Sequence, residues 1–237
     1  MTMLEVRNVS VAYGGHHALH QVSLELRKGE TVVILGANGA GKTTLIHTIA
    51  GLLRPQPGGQ IMLRGTEISQ LPPHRIVELG VALVPEGRRI FGELTVLENL
   101  QLGAFAHRAR GRDQQNLERV YALFPRLRER KRQLAKTMSG GEQQMLAMAR
   151  ALMSAPELLL LDEPSLGLSP LLCKELFRIL AQINASGVSI LLVEQNTRRS
   201  LKISHRGYVL ENGHIIRHGD TASLLHDELL ARSYLGL

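Results

Sequence analysis

The 237-residue chain has no tryptophan, only 3% aromatic residues and a single cysteine, Cys173. One thiol cannot close an internal disulfide, so the fold must hold by packing, and a reducing compartment is expected. So few aromatics argue against a protein that grips nucleic acid by stacking bases. No apolar run approaches the ~20 residues that span a bilayer. Met1–Arg7 lacks the apolar stretch of a secretory leader. A soluble or membrane-peripheral protein is expected. What the chain does have is a 44% hydrophobic composition and a formal net charge of +7. The first supports a real core; the second suggests an anionic neighbour. The densest basic cluster, Arg126, Arg128, Arg130, Lys131 and Arg132, reads as a solvated helix face.

The length suits one large domain, or one domain carrying an insertion. Val6, Val9 and Val11 suggest edge-type strands. Thr31–Leu35 reads as a buried strand, Ile61–Leu63 and Gly80–Val84 as short strands, and Leu158–Leu161 and Val188–Val193 as further buried strands. Pro170–Ala185 reads as a helix. Tyr208–Leu210 and His214–Ile216 flank Glu211-Asn212-Gly213, whose Asn-Gly pair signals a hairpin. From about Gly87 to Ala155 the chain turns Arg-rich and helical in pattern. The reading is an α/β core interrupted by a helical insertion, with neither repeats nor linkers.

The motif that gives this core its chemistry is Gly36-Ala37-Asn38-Gly39-Ala40-Gly41-Lys42-Thr43. It fits the phosphate-cradling P-loop and lies between a buried strand and the helix that begins near Thr44. Glycines let the backbone turn its N–H groups inward, and the helix N-terminus adds partial positive charge. Lys42 is placed to reach β- and γ-phosphates, and the Thr43 hydroxyl to bind Mg²⁺.

Two further motifs follow. Leu158–Leu161 leads into Asp162-Glu163: one carboxylate for Mg²⁺, the other a general base for an attacking water. Alone this could be an acidic strand end capping the turn at Pro164, but a P-loop upstream makes that improbable. Ser139-Gly140-Gly141-Glu142 opens a helix with Ser139 as N-cap. It can be an anion-binding nest or simply a well-capped helix.

Taken in order, Gly36–Thr43, Ser139–Gln144 and Leu158–Glu163 resemble the ATP-binding subunits of ABC transporters across essentially the whole chain. The resemblance implies a P-loop NTPase (RecA-like) core with an antiparallel β subdomain, residues 1–86 and 156–237, and a helical subdomain, residues 87–155. It implies ATP as substrate with Mg²⁺. Nucleotide binding falls to Gly36, Ala37, Asn38, Gly39, Ala40, Gly41, Lys42, Thr43 and Thr44, with Tyr13 as the aromatic on adenine. Ser139, Gly140, Gly141 and Glu142 close over ATP held by a second subunit, so the working form is a dimer. Thr43, Glu86 and Asp162 hold the metal; Glu163 and Gln195 are catalytic.

Three positions depart from the family pattern. Glu86 replaces a strand-end Gln, Gln195 replaces the switch His, and the Asp usual near Ser169 and Pro170 is missing. Gln can donate an N–H to a phosphate but carries no charge, which implies weak turnover at this chain's own site. His205 reads as surface. Together with Val84–Arg89, Leu192–Asn196 and the terminal Tyr234-Leu235-Gly236, these departures look like the subgroup serving branched-chain amino acid importers. Urea and short-amide importers use similar subunits, and a non-transport ABC ATPase is the remaining alternative. The subgroup implies a second ATP-binding subunit (a heterodimer in the full transporter), two permeases and, indirectly, a periplasmic solute-binding protein. No nucleic-acid partner is implied. The expected location is the cytoplasmic face of the cell membrane, held peripherally, with the groove for a permease helix between Glu86 and Asn99.

Overall fold

The computed structural model describes residues 1–225; the terminal Tyr234–Gly236 lies outside them. Two sheets form the frame. The first has the order β2-β1-β4-β5, from β1 (Thr2–Tyr13), β2 (His16–Arg27), β4 (Gln60–Leu63) and β5 (Thr66–Glu67). Every pairing in it is antiparallel. This corrects the edge-strand expectation for Val6: over Leu4–Arg7, β1 is paired on both sides, whereas Val9 and Val11 pair with β2 alone. All three valines are buried.

The second sheet has the order β10-β9-β3-β8-β7-β6. Its members are β3 (Thr31–Leu35), β6 (Val81–Val84), β7 (Leu158–Asp162), β8 (Ser189–Glu194), β9 (Arg206–Glu211) and β10 (His214–Asp220). All pairs are parallel except β9 with β10, the Asn-Gly hairpin. β3, β7 and β8 are buried at every position, as a parallel sheet covered on both faces requires. Alternation along the strands divides them between two cores. Val33, Leu35, Leu159, Leu161, Ile190 and Leu192 face one; Val32, Ile34, Leu158, Leu160, Leu191 and Val193 face the other.

Helices cover both faces. α1 (Lys42–Ile49) follows β3, and α2 (Pro73–Glu78) precedes β6. Residues 87–155 carry α3 (Val96–Gly103), α4 (Asp113–Leu123), α5 (Pro125–Glu129) and α6 (Gly140–Leu152), and supply no strand to either sheet. α3 and α6 each open on a capping box, Thr95 with Glu98 and Ser139 with Glu142. α7 spans Pro170–Ala185, as its periodicity predicts. Cys173, Leu176, Phe177, Leu180 and Ile183 recur at helical spacing and are buried. Two short helices, α8 (Thr197–Ile203) and α9 (Thr221–Leu225), flank β9 and β10. No described helix is long and apolar enough to cross a membrane.

A part-buried ion pair ties the second sheet to the β2–β3 turn. Arg206 Nη2 donates to Glu30 Oε2 at 2.9 Å, and Arg27 N–H donates to the same oxygen at 2.7 Å. Burial alone would raise the Glu30 carboxyl, but these hydrogen bonds outweigh it and hold it below its ordinary 4.5. A lowered carboxyl stabilises the fold above its unfolded pKa and loses that contribution as pH falls through the folded value. Glu30→Gln is therefore expected to melt lower at pH 7 and to show a shallower loss of stability below about pH 4.5. Thermal melts across that range test this; parallel curves for the two proteins would refute it. His205 is exposed, as expected, yet its Nδ1 accepts the Thr31 N–H at 3.1 Å.

Candidate active site

Residues 36–43 connect β3 to α1 along the carboxyl ends of the parallel strands. In open α/β sheets this edge is where ligands bind. The loop needs its glycines for two reasons. Gly41 adopts φ 106°, a left-handed conformation that side chains avoid. A Cβ on Gly36 would press on the Leu210 carbonyl of β9. The hairpin braces the loop from outside, with Gly213 N–H donating to Ala40 O at 3.0 Å.

Lys42 is buried and closely held. Its Nζ donates to Gly36 O at 2.8 Å and Ala37 O at 3.0 Å, and lies 3.1 Å from Glu163 Oε1. The last contact pairs charges but is not a directed hydrogen bond. Thr43 Oγ1 donates to Asp162 Oδ1 at 3.2 Å, joining the start of α1 to the end of β7. Asp162 Oδ2 is buried without a partner. Burial raises the Asp162 carboxyl above its ordinary value, with the Thr43 bond opposing. An orphaned carboxylate oxygen beside a hydroxyl is a fit donor set for a hard cation. Among the described residues no three His, Cys, Asp or Glu side chains converge in metal-binding geometry.

Glu163 sits at φ 47°, rare for a residue with a side chain. Its N–H donates to Val193 O at 3.0 Å, and its Oε2 accepts the Gln195 N–H at 3.1 Å. A cleft of about 340 Å³ gathers Asn38, Gly39, Gly41, Lys42, Thr43 and Thr44 with Glu86, Glu163 and Gln195. Gly36 and Ala37 join the site through their carbonyls to Lys42, and Ala40 through its bond from Gly213. Tyr13 ends β1 half-exposed, its hydroxyl 3.5 Å from Thr44 Oγ1. Ala18 and Leu166 also line the cleft. Sequence reasoning passed over both, since neither residue type announces a chemistry.

Ser139, Gly140, Gly141 and Glu142 do not line this cleft. They open α6, where the Glu142 carboxylate accepts from both Ser139 N–H at 2.9 Å and Ser139 Oγ at 2.8 Å. Arg130 Nε stands 3.3 Å and Arg126 Nη1 4.0 Å from Glu142. The basic cluster is a solvated face, as expected, with Arg126 76% and Arg130 40% exposed at their side chains while they approach this carboxylate. The link between β6 and the helical segment runs through Gly87, Arg88 and Arg89, all at positive φ. Arg88 Nη1 reaches Gln143 Oε1 at 3.2 Å. One connector therefore joins Glu86 in the cleft to the first turn of α6.

A second, shallower cleft lies between β6 and the helical segment. Phe91, Leu102 and Phe105 are exposed along it, and Arg150 lies in its wall, 5.1 Å from the Phe91 ring centroid. Asn99, fully buried, fixes the loop by bonding Phe91 N–H at 3.0 Å and Phe91 O at 2.9 Å.

The family model for ABC transporters matches residues 19–166, more than half of the chain. The protein belongs to the ABC transporter family. As an ABC cassette it is an ATPase. The chain is 51% identical over 235 residues to the high-affinity branched-chain amino acid transport ATP-binding protein BraG of Pseudomonas aeruginosa, covering 99% of this chain and all of that protein. It is 38% identical to an Archaeoglobus fulgidus protein named "Probable branched-chain amino acid transport ATP-binding protein LivF", covering 99% of each. Among solved structures, the ADP conformation of MJ1267, an ATP-binding cassette of an ABC transporter, superposes with a TM-score of 0.88 at 26% identity, covering the whole of both chains.

Proposed function

We propose that this cassette energises an importer of branched-chain amino acids. The observation that carries this reading is the 51% identity to BraG over 99% of the chain. The cleft supplies chemistry that suits the reading. Lys42 and the backbone of residues 36–43 hold the triphosphate, with Tyr13 against the adenine. Thr43 and Asp162, with Glu86 beside them in the cleft, would hold Mg²⁺, which would supply positive charge to offset that of the phosphates. Glu163 accepts a proton from the attacking water, and the Gln195 amide donates to the γ-phosphate.

The Ser139–Glu142 segment lies away from its own chain's cleft, which suits a role on ATP bound by a second subunit. One P-loop and one such segment per chain then make two shared sites in a head-to-tail dimer. Hydrolysis removes the phosphate that both subunits contact, so the closed dimer loses its differential stabilisation and opens. Residues 87–155 act as the helical subdomain, and the cleft at Phe91 receives a helix of one permease. The cassette works on the cytoplasmic side of the cell membrane, beneath two permeases fed by a solute-binding protein.

Reconstitution with the two permeases and a second cassette in vesicles tests this. Leucine-loaded binding protein should stimulate ATP turnover and drive leucine uptake. Stimulation by urea- or amide-loaded binding protein instead would move the assignment to that class. Phe91→Ala is expected to leave basal turnover near wild type while abolishing uptake, because it removes an apolar contact remote from Lys42 and Glu163. Normal uptake by this variant would sink the docking assignment.

A further inference from the structure

β8 ends in a buried carboxylate that the chemistry above does not use. Glu194 is 1% exposed. Its Oε1 accepts the Ser165 N–H at 2.9 Å, and its Oε2 accepts the Ser165 hydroxyl at 2.9 Å and the Asn196 N–H at 3.3 Å. Ser165 lies two residues beyond Glu163; Asn196 directly follows Gln195. The same two turns are laced at Glu163, which donates its N–H to Val193 O and accepts the Gln195 N–H. The backbone at Glu163 is left-handed, so it holds its place only if its surroundings enforce it. Beneath, the buried Cys173 thiol donates to Ser165 O at 3.7 Å, so the carboxylate is the charged group among these ties.

We propose that Glu194 is a positioning residue: by clamping Ser165 to Asn196 it fixes the separation and orientation of Glu163 and Gln195. Glu194 need not touch nucleotide to do this. A glutamine cannot replace it. The amide keeps one acceptor oxygen, while its NH₂ only donates, so whichever way it turns it faces an N–H of Ser165 or Asn196. One side of the clamp is then released.

The inference rests on the proposed roles of Glu163 and Gln195, and the test separates the two. Saturating ATP turnover, KM and equilibrium ATP binding are measured for wild type, Glu194→Gln, Ser165→Ala, the double variant and Glu163→Gln. Glu194→Gln is expected to lower kcat ~10- to 100-fold, as misplacement of a catalytic group does. KM and ATP binding should stay within about 2-fold, because the ground-state contacts remain. Ser165→Ala should lower kcat in the same direction, and the double variant should be no slower than Glu194→Gln, since both sever one tie. Wild-type kcat in Glu194→Gln would overturn the proposal. So would ATP binding weakened as much as kcat, or fully additive losses. If Glu194→Gln does not fold, wild-type kcat in Ser165→Ala overturns it alone. Wild-type turnover in Glu163→Gln would instead remove the general-base reading, and the Glu194–Ser165 coupling would then have to act through Gln195.

Discussion

Glu163→Gln is expected to lower ATP turnover ~10²- to 10⁴-fold, the usual share of a general base, and at the same time to tighten ATP binding. The loss of turnover follows from chemistry: a neutral amide does not take the water's proton. The gain in affinity follows from the geometry. Glu163 Oε1 lies 3.1 Å from Lys42 Nζ, and both side chains are nearly buried. Glu163 and a triphosphate therefore compete for one ammonium, and the carboxylate also repels the phosphate at short range. Glutamine keeps the volume and removes both penalties. The carboxylate's tie to Gln195 N–H can be kept by the amide oxygen, so the local fold should persist. Single-turnover hydrolysis and equilibrium binding, measured together, give the two numbers. Turnover within about 10-fold of wild type would refute the base assignment; unchanged or weaker binding would refute the competition.

Lys42→Ala is expected to weaken ATP binding ~30- to 5,000-fold, equivalent to the 2–5 kcal/mol lost on truncating one partner of a buried charge pair. Lys42 is held by the Gly36 and Ala37 carbonyls, so its ammonium is aimed before any ligand arrives, and little ordering cost offsets the attraction. Lys42→Arg should rescue poorly. A planar guanidinium is too wide for a site that already packs two carbonyls and a carboxylate around one nitrogen. Titration with a fluorescent ATP analogue reads both variants. Near-native affinity in Lys42→Ala would mean that the backbone cradle alone binds the phosphates.

These predictions draw on features of different legibility. The P-loop could be read because its requirements are consecutive in the chain: glycines where φ must be free, a lysine, a threonine, then a helix. The hairpin at Asn212-Gly213 and the helix Pro170–Ala185 were local in the same sense, with a turn residue pair in one case and a capped apolar stripe in the other. The position of β1 inside its sheet was not local. Alternating valines look the same whether a strand has one neighbour or two, and only pairing with both β2 and β4 distinguishes them. Arg126 and Arg130 are solvent-facing, as they read; only their approach to Glu142 was hidden, because it is more than ten residues away and belongs to another helix.

Glu194 marks the boundary most clearly. It was visible in the run Leu192–Asn196, and a carboxylate ending an apolar strand is the same signal that singled out Asp162. Its partner Ser165 lies 29 residues earlier, across a strand pairing that no periodicity reports. The sequence by itself determined which groups this protein possesses: a phosphate loop, two carboxylates after a buried strand, a capped Ser-Gly-Gly, and the family to which these belong. Tertiary structure alone decided which of them meet. It set Lys42 against Glu163, left one oxygen of Asp162 without a partner, and kept Ser139–Glu142 out of the cleft. The physical reason is that local motifs depend on backbone dihedrals and neighbouring residues. The distances between motifs depend on the strand order β3-β8-β7, which the packing of two separate cores enforces.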